Sequence, residues 1–247
     1  MNFYSVIIGT ELLNARRIDK HFDFLNKELN KRGLTHFANF VIKDDEQLME
    51  NTFKTVLADK NSVMFCFGGL GSTPDDLTRP VVAKVFTCKE LQLHEEAKKR
   101  IVRQFGQEAY PHRINMAMLP QNAKLLDNVV NNVPGFYLQN RFFFTPGFPS
   151  MSWPMIVWAL DTFFKPEQQP HSYTFWVDAS ENDLIEIMQQ CPQQVELSSL
   201  PRFIEEKRKV QMYLASLDKD SLEKYYQKFI DFLHLKHLKF ENIENSL

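Results

Sequence analysis

Glycine is scarce in this chain: eight residues in 247, and none after Gly147. The last third therefore has no Gly-x-x-Gly loop of the kind that clamps an RNA backbone. Residues 165–247 also carry 10 Lys and Arg against 14 Asp and Glu, the wrong sign for tracking phosphates. Cysteine is scarcer still. Cys66, Cys88 and Cys191 form no Cys-x-x-Cys pair, which excludes a disulfide framework or thiolate zinc site and reads as reduced thiols. With a formal net charge of −2, nothing global draws the chain to nucleic acid or to an anionic membrane. The most apolar long stretch, residues 153–164, contains Pro154 and Asp161 and is too short to span a bilayer. Met1-Asn2-Phe3-Tyr4 shows no basic segment ahead of an apolar one, so no secretory signal is read. These absences lead to the expectation of a cytoplasmic protein with no nucleic-acid or membrane partner.

What the chain does have is apolar material, 44% of its residues, arranged in alternating short runs and helical periods. Residues 3–8, 37–42 and 63–67 read as strands, the first buried and the last buried on both faces. Between them lie helical patterns carrying Ile18, Phe22, Leu25 and Leu29, then Leu48, Phe53, Val56 and Leu57. The first of these stops at Gly33, and Asp44-Asp45 begin the second. Val81, Val82, Val85 and Phe86 line a third helix, and Leu93, Ala97, Ile101 and Phe105 a fourth. Short β-like pieces follow, including Phe142-Phe143-Phe144, then a loop and a helix from Trp153. Strands alternating with helices predict an α/β fold with a doubly wound, mostly parallel sheet. Composition shifts near Pro166 and Pro170, dividing the chain into residues 1–167 and 168–247. The second part reads as a small α+β domain: a strand over 173–177, a helix opened by Ser180 with Asp183 as capping box, strands near 194–197 and 210–214, and a last helix with Leu222, Tyr225, Phe229, Phe232 and Leu233.

The stretch that organises the chain is Gly68-Gly69-Leu70-Gly71-Ser72-Thr73-Pro74-Asp75-Asp76-Leu77-Thr78. It follows a buried strand directly, and its glycines let backbone amides approach a ligand. Thr78 reads as an N-cap and Pro80 as a first-turn proline. An ordinary turn needs no second carboxylate, so the pair Asp75-Asp76 points to an anion site with a metal-binding edge. Each candidate also has a plainer reading. Asp44 serves equally well as a helix cap, Asp75 as a turn cap, and Glu11 as an acceptor for glycine-loop amides. Arg79 and Arg113 read as solvated surface, and His21 as a neighbour of the opening motif.

The same stretch resembles the signature of the CinA-type competence/damage-inducible family, a branch of the MoaB/Mog-like molybdopterin-binding superfamily. Gly9-Thr10-Glu11-Leu12-Leu13 with Asp19, Val41-Ile42-Lys43-Asp44-Asp45, residues 128–136 and Pro146-Gly147-Phe148-Pro149-Ser150 resemble further motifs of that family. The resemblance is to a short form without the family's optional nicotinamide-mononucleotide amidase domain, and the segment after Pro170 resembles the family's small KH-type domain, most visibly at Leu197-Ser198-Ser199-Leu200-Pro201. It implies hydrolysis of ADP-ribose-like pyrophosphates with Mg²⁺, with or without K⁺, and a homo-oligomer. Asp44 and Asp76 are then the catalytic pair, with Asp75 as a further metal ligand. Gly68, Gly69, Gly71, Ser72, Thr73, Glu11, Pro146 and Gly147 hold the ligand, a nucleotide or a pterin. The chain departs from the family pattern at Ala15, Ser72, Asn131, Asn132 and Met151. Two other readings therefore stand beside the hydrolase: pterin-nucleotide binding or adenylyl transfer in molybdenum-cofactor synthesis, and an inactive nucleotide-binding module.

Overall fold

Phe142, Phe143 and Phe144 are all fully buried, yet they serve two cores, because successive strand residues point to opposite faces of a sheet. Phe142 and Phe144 pack on one side with Tyr4, Val6, Ile8, Met64 and Cys66. Phe143 packs on the other with Phe3, Ile7, Val63, Phe65 and Phe67. This two-sided burial explains why these strands are continuously apolar and not alternating.

The computed structural model describes residues 1–204 and 207–243. The chain divides into two units, Met1–Glu167 and Gln168–Leu247. In the first, β1 (Asn2–Ile8), α1 (Thr10–Leu13), α2 (His21–Asn30), β2 (His36–Ile42), α3 (Glu46–Ala58), β3 (Ser62–Phe67) and α4 (Thr78–Val82) follow in order. After a π-helical turn over Ala83–Thr87 come β4 (Gln92–Leu93), α5 (Glu95–Phe105), β5 (Met118–Leu119), β6 (Lys124–Leu126), β7 (Gly135–Leu138), β8 (Phe142–Thr145) and α6 (Pro149–Phe163). The main sheet has the order β2-β1-β3-β8-β7-β6. Its first four strands run parallel, and β7 and β6 are antiparallel additions. Helices α3, α4 and α5 cover one face through Phe53, Val56, Val81, Val82, Ala97 and Ile101. Helices α2 and α6 cover the other through Leu25, Leu29, Met155, Ile156 and Leu160. The sheet is thus wound on both sides, and the carboxyl ends of β1, β2, β3 and β8 open onto one edge.

Several boundaries differ from the sequence reading. Ile18 lies outside α2, and it is 83% exposed because Asp19 and not a preceding apolar residue starts that helix. Leu48 is exposed and Met49 takes its place in the core of α3. The cap of α3 is Asp45, whose carboxylate accepts from the Leu48 amide at 2.8 Å; Asp44 does not cap it. Asp45→Ala should lower stability by about 1 kcal/mol, read as a shifted urea midpoint with unchanged slope. Helix α6 begins at Pro149, ahead of the expected Trp153, with Pro149 in the first turn where its missing N–H is harmless.

In the second unit, β9 (His171–Val177), α7 (Glu181–Met188), β10 (Glu196–Ile204), β11 (Lys207–Ser216), α8 (Lys219–Leu235) and β12 (Phe240–Asn242) form an antiparallel sheet of order β10-β11-β9-β12 with two helices. This is the α+β arrangement in its coarser form. The capping box is present: Asp183 accepts from the Ser180 amide at 2.9 Å and from its hydroxyl at 2.7 Å. Strands β10 and β11 run longer than their apolar stretches suggest. Strand β10 is an exposed edge, where Ser198, Ser199 and Pro201 are tolerated. Strand β12, on the opposite edge, carries no apolar alternation that announces it.

Candidate functional site

The loops after β1, β2, β3 and β8 meet around a cavity of about 530 Å³. Its walls include Glu11, Asp44, Gly68, Gly69, Gly71, Thr73, Asp75, Asp76, Pro146 and Gly147. Ten of the residues singled out from the sequence thus converge, while Ser72 does not reach the wall. This is where an open α/β sheet collects ligands, beyond the carboxyl ends of its strands.

The glycine loop is shaped by side chains that fold back onto it. Gly68 and Gly69 adopt positive φ of 105° and 66°. Asp76 turns inward: Oδ1 accepts from the Gly71 amide at 2.7 Å, and Oδ2 from the Thr73 amide at 2.9 Å and hydroxyl at 2.7 Å. The Gly71 amide is therefore taken by Asp76. The amides of Gly69 and Leu70 have no acceptor among the described residues, and both residues line the cavity. Thr78 is not an N-cap, since its hydroxyl donates to the Gly68 carbonyl at 2.9 Å, and Leu77 precedes the helix without a side-chain cap. Arg79, read from the sequence as solvated, is buried beneath the loop and donates to the Leu70 and Gly71 carbonyls at 2.5 and 2.6 Å. Burial pushes its guanidinium down to about 10, against the opposing pull of Asp76, so it stays charged at neutral pH.

Asp44 joins two strand ends. Its Oδ2 accepts from the Thr10 amide at 2.8 Å and from the Thr10 hydroxyl at 2.9 Å, linking the ends of β1 and β2. Its Oδ1 has no partner among the described residues. Glu11 makes no bond to the glycine-loop amides and stands 3.7 Å from Arg17. Asp75 is the exposed member of its pair. Among the described residues no group of three or more His, Cys, Asp or Glu is arranged to hold a metal by itself.

Arg17 and Thr10 escaped the sequence reading. Arg17 Nη2 donates to the Gly147 carbonyl at 2.8 Å, across 130 residues, and no local pattern announces such a partner. Arg113 is a surface residue, as read: it pairs with Glu108 at 2.7 Å and lies over the Phe105 ring.

Comparison with known proteins bears on the first unit. Residues 5–165 match the model of a family described as a probable molybdopterin binding domain. A CinA-like protein of Acaryochloris marina (strain MBIC 11017) is 34% identical over 152 residues, covering 58% of this chain and 36% of the relative. A CinA-like protein of Geotalea uraniireducens (strain Rf4) is 35% identical over 155 residues, covering 60% and 36%. The matches thus span little more than a third of these relatives' length. The solved structure of the protein CinA with unknown function from Thermoplasma acidophilum superposes with a TM-score of 0.59 at 26% identity, covering 65% of this chain and 97% of that one.

Proposed function

Because the chain belongs to the molybdopterin-binding domain family, we propose that its glycine-loop cavity binds a nucleotide diphosphate of the ADP-ribose type and hydrolyses it with a divalent metal. The supporting observation is the composition of one wall. Gly69 and Leu70, whose amides have no acceptor among the described residues, line it with Glu11, Asp44, Asp75 and Asp76, and Arg17 is the one cation of that lining. Backbone amides suit phosphate oxygens. Four carboxylates outnumber Arg17 at the wall and Arg79 beneath the loop, and repel a diphosphate unless a cation accompanies it. Mg²⁺ is bound typically by one or two carboxylates together with substrate phosphates, so it requires no preformed three-ligand cluster. Asp44, through its open Oδ1, and Asp75 are the carboxylates left to hold it. When bound, the ion neutralises charge on the diphosphate and makes its phosphorus more electrophilic. The chain's own contribution is positioning: Asp76 and Arg79 hold the loop, and Thr10 fixes Asp44.

The test is to incubate the full chain with ADP-ribose and related dinucleotide diphosphates, with and without Mg²⁺ and K⁺. Release of AMP that requires Mg²⁺ and stops with chelator is the expected result. One observation favours the inactive-module alternative: both oxygens of Asp76 are already occupied by the loop. Calorimetric heat of binding, with intact ligand recovered after long incubation, would establish that alternative in place of hydrolysis. A pterin phosphate that binds where ADP-ribose does not would place the chain with the pterin-binding chemistry that the family description states.

A further inference from the structure

Beside the glycine-loop cavity lies a second one, of about 580 Å³, which shares Ile8, Glu11, Arg17 and Gly147 with the first. Its character is opposite. Its charged lining comprises Arg16, Arg17 and Lys20 against Glu11 and Asp19, with His21 in the wall. The two acids are already engaged. Asp19 Oδ1 accepts from the His21 amide at 2.8 Å and Oδ2 from the Phe22 amide at 3.1 Å, while Glu11 faces Arg17. The side chains of Arg16 and Lys20 have no hydrogen-bonding or acidic partner among the described residues.

These cations are not borne on a flat surface. Ala15 turns the chain back with φ of 56°, and the amides of Arg16 and Arg17 both donate to the Glu11 carbonyl, at 3.0 and 3.2 Å. The segment is thereby folded over the cavity. His21 supplies an independent observation. It is 4% exposed, stacks on Phe67 with centroids 4.4 Å apart, and sets Nε2 3.2 Å from the Gly147 carbonyl. A carbonyl only accepts, so Nε2 carries the proton and Nδ1 of the neutral ring is an acceptor. That Nδ1 is buried without a partner among the described residues. Burial lowers the ring's pKa and keeps it neutral. The two uncompensated cations match a phosphoryl group, and the wall that holds them contains a polar side chain whose bonding capacity is incomplete.

We propose that this cavity is a second anion subsite formed by Arg16, Lys20 and Arg17, and that the ligand is a nucleotide diphosphate bearing an additional phosphomonoester on a sugar hydroxyl. The proposal rests on the nucleotide reading of the first cavity. The shared wall lets one molecule place its diphosphate among the open amides and its outlying phosphate among the cations.

Calorimetry on the full chain at low ionic strength tests it with three probes: inorganic phosphate, ADP-ribose and ADP-ribose 2′-phosphate. The phosphorylated nucleotide should bind at least about tenfold more tightly than ADP-ribose. In the double variant Arg16→Gln with Lys20→Gln, that preference should vanish and inorganic phosphate should lose about tenfold in affinity. Lys20→Arg, which keeps the charge, should retain the preference, and an unchanged urea midpoint in the double variant shows that it still folds. Equal affinity for the two nucleotides in the wild-type protein, with phosphate binding indifferent to the double variant, overturns the subsite and leaves the proposed function standing. Failure to bind either nucleotide, with phosphate binding still dependent on Arg16 and Lys20, upholds the subsite and removes the nucleotide reading instead.

Discussion

Gly68→Ala should destabilise the first unit by on the order of 4 kcal/mol, a large part of the stability of an ordinary domain. The added Cβ would come within 3.0 Å of the Ile8 carbonyl oxygen, and the residue already holds φ of 105°, which side-chain-bearing residues rarely adopt. The obstacle is backbone of the central strand β1 and has no rotamer to change. Retreat on the other side is blocked as well, because the Gly68 amide donates to the Thr145 carbonyl of β8 at 3.0 Å. Gly106 provides the control. Its φ is 56°, but nothing lies within 4 Å of the position a Cβ would take. Its ψ of −129° places it in a region side-chain-bearing residues avoid, so Gly106→Ala should cost about 2 kcal/mol, the conformational part alone. Urea denaturation of both variants measures the difference. A Gly68→Ala protein within 1 kcal/mol of Gly106→Ala would mean that the turn after β3 is not wedged between β1 and β8.

The second large effect is on binding. Asp76→Asn should reduce ADP-ribose affinity about a hundredfold while the core melts within a few degrees of wild type. A carboxylate has two acceptor oxygens, and both are used, by Gly71 and by Thr73. An amide keeps one acceptor and turns an N–H toward an N–H, so at least one of those contacts becomes repulsive. The loop that presents the Gly69 and Leu70 amides then loses its closure. Calorimetry across a Mg²⁺ titration separates this positioning role from metal ligation. A loss that persists at saturating Mg²⁺ marks Asp76 as a loop-holding residue. A loss that further Mg²⁺ restores marks it as a metal ligand and sets aside the positioning account.

Much of this architecture was written locally. Residues 63–67 are apolar at every position and become a strand buried on both faces. Ser180 and Asp183 are three residues apart and form their capping box. Leu222, Tyr225, Phe229 and Leu233 recur at helical spacing and form the buried face of α8. In each case the forces act within one turn or one pleat, so the order of residue types is enough.

Tertiary structure decided what depends on partners far along the chain. Asp44 and Asp45 are indistinguishable as neighbours, yet one caps α3 and the other binds Thr10, 34 residues away, because β2 lies parallel to β1 and their ends coincide. Arg79 reads as surface until the glycine loop folds over it and offers two carbonyls that compensate its burial. The same holds for the contrast between the two cavities. Arg17 and His21 converge on the Gly147 carbonyl from 130 and 126 residues away. Sequence alone determined that acids and glycine amides would stand at the strand ends. Only strand order and register, which set the distances between those ends, decided that the acids would surround one cavity and Arg16 and Lys20 would face the next.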